Sequence, residues 1–292
     1  MSEKSPKVSV IVPHYNDLVG LDACLAALCA QDGIARENYE IIVGDNQSPV
    51  GMEEVAKVVA GRAKLVEATE RGAGPARNAA VGHARGSVFA FTDSDCVPSA
   101  HWLANGIKLV GEKRIIGGHV GVSVDDPSNM SGAEAFERIF AFNFKRYIEK
   151  LGFTGSGNLF CRKEDFETVG PFRVGVSEDR EWSFRARSKG CSIIYAPDAK
   201  IDHPARRNWA ELKAKWVRIN RETFLLARED GMSRVEWIAR AWLLPASILP
   251  HGFKCFTSSA IAGPRARMRA FATLIKLRLW RFWDYHRLAF SR

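Results

Sequence analysis

The 292-residue sequence predicts an α/β fold with a mostly parallel, doubly wound sheet and helices on both faces, followed by a C-terminal helical region. Three observations predict it. Short apolar runs rich in β-branched residues recur through the first half. Each is followed by a segment with helical spacing. Basic charge gathers at the end of the chain: residues 235–292 hold ten Lys and Arg against two Asp and Glu, or +8 of the net +9. The remaining 234 residues are almost neutral, so a body and a cationic tail are expected, as domains 1–234 and 235–292.

The elements follow in order. Val8-Ser9-Val10-Ile11-Val12 is a strand, ended by Pro13. Residues 17–30 are helical, with Leu18, Leu21, Leu25 and Leu28 on one side. Residues 40–44 form a second strand, closed by the turn-like Asp45-Asn46-Gln47-Ser48-Pro49. A helix spans 55–59, a third strand 64–66, a second glycine-led helix 74–84 and a fourth strand 87–92. In a parallel sheet of this kind ligands bind beyond the carboxyl ends of the strands. His14-Tyr15-Asn16, Asp45 and Asp93-Ser94-Asp95 fall at those ends.

The second half is mixed. A strand with a glycine pair is expected at 115–124, a helix at 133–151 and a turn at Gly155-Ser156-Gly157-Asn158 before the strand 159–161. Helices are expected at 163–169, 178–189 and 209–229, with a strand at 193–195. At 46% hydrophobic and 26% charged, the chain can bury an ordinary core. Six cysteines show no CxxC pair and no accompanying His cluster, so buried reduced thiols are expected rather than a zinc site or disulfide framework. The polar opening, residues 1–7, does not read as a secretion signal, and a cytoplasmic location is expected.

Asp93 and Asp95, two apart after an apolar strand, can reach one divalent cation, because Mg²⁺ and Mn²⁺ take carboxylate oxygens and bridge to diphosphates. A DxD triplet is also an ordinary solvated turn. Asp45 suits hydrogen bonding to a base or ribose, or equally an Asx turn or helix cap. Arg71-Gly72-Ala73-Gly74-Pro75-Ala76-Arg77-Asn78 is a glycine-rich turn into a helix that suits an anion, or structural glycines with solvated arginines. It is neither GxGxxG nor a P-loop, which argues against a dehydrogenase and a kinase. Glu178-Asp179 opens a helix, either as a cap or as a general base. His203 suits a metal shell or a structural hydrogen bond.

Together these segments resemble family 2 glycosyltransferases over residues 7–230. The likeness rests on Val8–Asn16, Glu40–Asn46, Gly74-Pro75-Ala76-Arg77-Asn78 and Phe91-Thr92-Asp93-Ser94-Asp95. It continues through Gly157-Asn158, Gly170-Pro171-Phe172 and Ser177-Glu178-Asp179. The resemblance implies the GT-A fold and an inverting transfer of sugar from a nucleotide sugar, with UDP as carrier. It implies that Asp45 binds the base and that Pro13, Asn16, Arg77, Ser94, Asn158 and Glu178 line the nucleotide sugar. Asp93 would meet the ribose, Asp95 and His203 the metal, Mn²⁺ or Mg²⁺, and Asp179 would be the catalytic base. Asp45-Asn46-Gln47-Ser48 departs from the commoner Asp-Asp-Gly-Ser. The Gln-x-x-Arg-Trp motif of processive synthases is absent near Trp216 and Arg218, so addition of a single sugar is expected. The acceptor would be a saccharide or a lipid-linked saccharide of cell-surface polysaccharide or glycolipid synthesis. A sugar nucleotidyltransferase would need a lysine-containing glycine loop after the first strand, which His14-Tyr15-Asn16-Asp17 does not supply. A catalytically silent scaffold is the other alternative, and retention of every acidic position argues against it.

From Pro264 the tail has helical spacing, with Met268, Phe271, Ala272, Ile275, Leu279, Phe282 and Trp283 on one face and basic residues beside it. Such a helix can lie on an anionic membrane surface, here the inner face of the cell membrane, or pack on the core. Residues 242–253 are apolar but broken by Pro245 and Pro250, and are shorter than the roughly 20 residues a membrane span needs. No base-reading motif accompanies the basic tail, so nucleic acid is not an expected partner.

Overall fold

The computed structural model describes residues 6–291; the rest of the polar opening, residues 1–5, lies outside the described residues. Two compact units emerge. The first comprises residues up to 121, 143–174 and 178–203; the second comprises 122–142, 175–177 and 204–292.

The first unit carries the sheet. Its strands are β1 (Val8–His14), β2 (Tyr39–Asp45), β3 (Lys64–Glu67), β4 (Val88–Thr92), β5 (Val97–Pro98), β6 (Arg114–Ser123), β7 (Asn158–Arg162) and β8 (Ser192–Pro204). They lie in the order β3-β2-β1-β4-β7-β6-β8-β5. The half read as parallel from sequence is parallel: β1 pairs with β2 and β4, and β2 with β3. The later strands make the sheet mixed, since β7 runs antiparallel to β4 and to β6, and β5 antiparallel to β8. Pro13 does not end β1: the register continues to His14, level with Asp45. Thr92 is level with Asn158. Residues immediately after β1, β2 and β4 therefore leave the sheet at one end, the end where such folds bind ligands.

Helices α1 (Leu18–Cys29), α2 (Met52–Val59), α3 (Ala73–Val81), α4 (Trp102–Ile107), α7 (Lys163–Val169) and α8 (Glu178–Ser188) belong to this unit. Asp17 caps α1 by accepting from the Gly20 amide. An aromatic core joins β4 to α7 and α8. Phe91 meets Phe172 edge-on at 5.5 Å, and Phe166 stacks on Trp182 at 5.7 Å. Trp182 is fully buried and its indole N–H donates to the Gly170 carbonyl. This packing fixes α8, whose first two residues are Glu178 and Asp179.

The single helix expected at 133–151 is broken. Helix α5 (Gly132–Phe140) stops where Ala141 turns extended and Phe142 takes a left-handed φ of 53°. A short α6 (Phe144–Arg146) restarts under an Asn143 cap. The strand expected at 193–195 is instead the thirteen-residue β8, which carries His203 near its end. Its length comes from pairing on both sides, a tertiary effect that local propensity does not record.

The second unit is helical: α5, α9 (Trp209–Glu229), α10 (Arg234–Ala241), α11 (Leu243–Ala246), α12 (Ile248–Thr257) and α13 (Pro264–Phe290). Pro245 and Pro250 interrupt the apolar run as expected, giving α11 and α12 instead of one helix. Helix α13 forms from Pro264, and the apolar face expected to meet a membrane or the core is distinct from its buried stripe. Ala270, Leu274, Leu277, Arg281, Asp284, Tyr285 and Leu288 face inward, and Met268, Leu279 and Trp283 face out. The inward stripe contains buried charge: Asp284 accepts from Asn220, Arg281 donates to Asn220, and the Arg281 guanidinium lies 3.8 Å over Trp216. Among the described residues no helix is long and apolar enough to cross a membrane.

Candidate active site

Asp93 and Asp95 emerge from β4 about one-third exposed. Arg77, on α3, is buried and bridges two carboxylates. It donates to Asp93 at 2.5 Å and to Glu178 at the start of α8. Burial alone would lower the Arg77 pKa; Asp93, Glu178 and Asp179 outweigh it and raise it above the ordinary value. Two glycines permit this approach. A Cβ on Gly74 would stand 2.6 Å from a Glu178 oxygen, and one on Gly157 would stand 2.6 Å from an Asp93 oxygen. The segment read from sequence as an anion-binding turn thus turns its second arginine inward.

Asp179 is held from the opposite side. Its Oδ1 accepts the Ser156 amide N–H at 3.0 Å, so the turn at residues 155–157 aims it. On the Asp95 flank, the His203 Nε2 lies 3.2 Å from Oδ2. Asp95, Cys96 and His203 each present a ligand atom, all within 4.8 Å of one another. Carboxylate oxygen with imidazole nitrogen fits a divalent cation such as Mn²⁺, and fits Mg²⁺ less well because Mg²⁺ favours all-oxygen shells. The neighbouring Cys24 and Cys96 thiols are pushed up, first by burial and then by Asp95 and Asp93. All six cysteines are free, as expected.

Asp45 is fully buried. It accepts from the Ser48 hydroxyl at 2.6 Å and the Ser48 amide at 2.9 Å, and its Oδ1 lies 2.8 Å from His14 Nδ1. Ser48 in turn takes the Asn16 amide at 2.8 Å, so the loops after β1 and β2 are tied together. Asn16 holds a left-handed φ of 51°. Pro13 is buried in β1. Asn158 is fully buried, and both ends of its amide are engaged. It donates to the His119 and Ala199 carbonyls and accepts from the Trp102 indole N–H. Ser94 is buried beside the two aspartates.

Thus Arg77, Asp93, Glu178 and Asp179 come together, and Asp95 pairs with His203 close by in sequence to Asp93. Asp45 and Asn158 spend their polar atoms on the protein. Residue-level reading missed Ser156, Ser48 and Cys96. Ser156 had a signal, since a residue flanked by two glycines in a turn exposes its amide. Ser48 had one too, since it lies three residues after Asp45 in a turn where an Asx contact was open; Cys96 had none beyond adjacency.

Fold and site together call for an α/β enzyme whose acidic residues gather at the carboxyl end of β4. The model of the family described as glycosyl transferase family 2 matches residues 9–170, and the chain belongs to that family. Glycosyltransferase AglE of Haloferax volcanii is 30% identical over 258 residues, covering 86% of this chain and 84% of that protein. The fold is also that of the mannosyltransferase PcManGT from Pyrobaculum calidifontis, solved with GDP-Man and Mn²⁺ (TM-score 0.56, 23% identity, 98% of this chain and 86% of that one). S. aureus TarS 1-349, solved with UDP-GlcNAc, has a TM-score of 0.56 at 17% identity, over 97% of this chain and 90% of that one.

Proposed function

We propose that this glycosyltransferase is inverting and metal-dependent, and that it moves one sugar from a UDP-sugar to a hydroxyl of a saccharide or lipid-linked acceptor. It serves cell-surface polysaccharide or glycolipid synthesis at the inner face of the cell membrane, its cationic C-terminal region meeting anionic lipid. The observation that carries the reaction is the arrangement of charge: one buried arginine among three carboxylates, beside an Asp–His pair.

Asp179 is the base in this reading. Ser156 holds one of its oxygens, and the other takes the proton of the acceptor hydroxyl. The acceptor oxygen bonds to the anomeric carbon as the bond from that carbon to the diphosphate oxygen breaks, so configuration inverts. Asp95 and His203 would hold a divalent cation, which offsets the charge of the leaving diphosphate. Asp93 faces the ribose. Arg77 is a positioning residue, since its donors already serve Asp93 and Glu178. Asp45 shapes the base pocket through His14 and Ser48, next to Pro13 and Asn16. Solved relatives of the fold carry GDP-Man in one case and UDP-GlcNAc in another, so both bases belong in the test.

A panel of UDP- and GDP-sugars with Mn²⁺ tests the reading by thermal shift and by turnover. A UDP-sugar is expected to raise the melting temperature only with the metal present. If no sugar nucleotide binds, the proposal fails. Asp179→Asn is expected to keep donor binding and lose about a thousandfold in turnover. Equal turnover in that variant would refute the base assignment.

A further inference from the structure

Exposed large apolar side chains are distributed unevenly. Over residues 6–234 they are mostly scattered valines; between 235 and 290 they include Trp242, Leu243, Leu249, Phe253, Phe256, Leu279 and Trp283. Helix α12 shows why. Gly252 and Cys255 face inward, and a Cβ on Gly252 would stand 2.7 Å from the Phe271 ring of α13. Leu249, Phe253 and Phe256 sit at i, i+4 and i+7 and form one outward stripe. Leu249 is 83% exposed and Phe253 72%. On α11, Leu244 is buried while Leu243 points out. Trp242 is exposed too and touches Phe282 of α13 at 4.8 Å.

The charge of residues 235–292 is mostly of one sign, +8 in all. Arg240, Lys254, Lys276 and Arg287 are exposed, and the region's two acids are Glu236 and the buried Asp284. An outward row of Leu and Phe on α12, which also carries the exposed Lys254, in a region that holds the exposed Trp242 and a net charge of +8, matches the chemistry of an anionic lipid surface. Apolar side chains enter the acyl boundary, Trp sits at the headgroups, and Arg and Lys meet lipid phosphates. Among the described residues no helix is long and apolar enough to cross a bilayer, and the contact proposed is an interfacial one.

We propose that the α11–α12 segment is an element that enters the surface of an anionic membrane, beyond the face of α13 expected from sequence. The proposal rests on the reading of this protein as membrane-peripheral and goes further by naming the inserting residues. Helix α13 serves as the base that turns the α12 stripe outward.

The test uses the full chain with vesicles of phosphatidylglycerol and phosphatidylcholine, and with phosphatidylcholine alone, read by co-sedimentation. Wild type is expected to bind the anionic vesicles preferentially. Leu249→Asp with Phe253→Asp is expected to weaken that binding by about tenfold or more, since two apolar insertions become charged. Both positions are exposed, so the melting temperature should hold. Val19→Asp, on the exposed side of α1, should leave binding unchanged. If the α12 variant binds as wild type does, this proposal falls and the membrane reading stands. If wild type binds neither vesicle, both fall, while donor binding still reports on the transferase reading separately. If the stripe instead drives self-association, sedimentation velocity will show a dimer that the variant dissolves, with vesicle binding unchanged, and that too overturns the proposal.

Discussion

Arg77 in the first unit and Lys215 in the second are both buried cations, yet they face opposite balances of charge. Arg77 meets Asp93 and Glu178, with Asp179 near enough to act on it, and Asp93 is one-third open to solvent. Lys215 meets one carboxylate, Glu137, which is 1% exposed and also accepts the backbone N–H of Arg206. The Lys215 ammonium lies 4.4 Å from the Phe142 ring centre. The first cluster carries excess negative charge at an opening, and that excess is what a cationic or metal-bridged ligand would neutralise. The second is sealed, with its single carboxylate paired, so it can hold helices together but offers little to a ligand. Excess and access separate the cluster proposed as reactive from the structural one better than burial does.

The largest expected effect breaks the first cluster. Arg77→Gln removes two charge-assisted hydrogen bonds, each worth about 1.5–3 kcal/mol. Asp93 and Glu178 are partly solvated and can rehydrate, so the loss should fall on function more than on folding. Turnover with a bound donor is expected to drop about a thousandfold, while the melting temperature falls by only a few degrees. A collapse in stability with turnover per folded molecule intact would reverse the contrast.

Glu137→Gln tests the second cluster. It strands Lys215 in a buried setting and should cost about 3 kcal/mol of stability, read by urea unfolding, with donor binding unchanged in the folded fraction. Its pH dependence has a definite sign. Burial works against the Glu137 charge, but Lys215 and Arg206 outweigh it and hold the carboxyl below 4.5. A lowered carboxyl pKa gives stability that is complete above 4.5 and is lost as pH falls through the lower folded value. Wild type should therefore lose stability over that acid range, and Glu137→Gln should show a flatter acid limb. Parallel limbs would remove Glu137 from the account.

The two clusters also differ in how much of them the sequence discloses. The first sits where strands end, and strand ends are readable. Val8–Val12 and Ser87–Thr92 announce themselves by composition, so Asp45, Asp93 and Asp95 could be placed at one edge. Whether a side chain there faces ligand or protein was not readable. Asp45 turned to Ser48, three residues on as an Asx turn would have it, and to His14, and Asn158 turned to Trp102; His14 and Trp102 lie more than 30 residues away, where local reading does not reach. The second cluster was invisible, since Glu137 and Lys215 read as ordinary helix-surface charges. Helix α13 fails in the same way. Its inward stripe contains Arg281 and Asp284, which a hydropathy pattern assigns to solvent. Pairing across helices makes that burial possible, while Met268, Leu279 and Trp283 of the apolar face read from sequence stay outward.

The smallest effect comes from the neighbour of Arg206. Arg207 reaches Asp125 at 3.0 Å, but the two side chains are 73% and 81% exposed. Water screens the pair and side-chain entropy opposes it, so Arg207→Ala should change stability by less than about 0.5 kcal/mol. The backbone N–H that Arg207 donates to Glu211 survives the substitution. Stability is therefore a poor witness for this residue, and kinetics is a better one. If Arg207 is only a solvated charge, the KM for donor and for acceptor should stay within about twofold of wild type. A rise of tenfold or more in one KM, with kcat and the urea midpoint unchanged, would mean that an open charge in the second unit binds ligand. Access would then matter more than excess in telling the two kinds of cluster apart, because Arg207 has a partner of opposite sign and lacks only a cover.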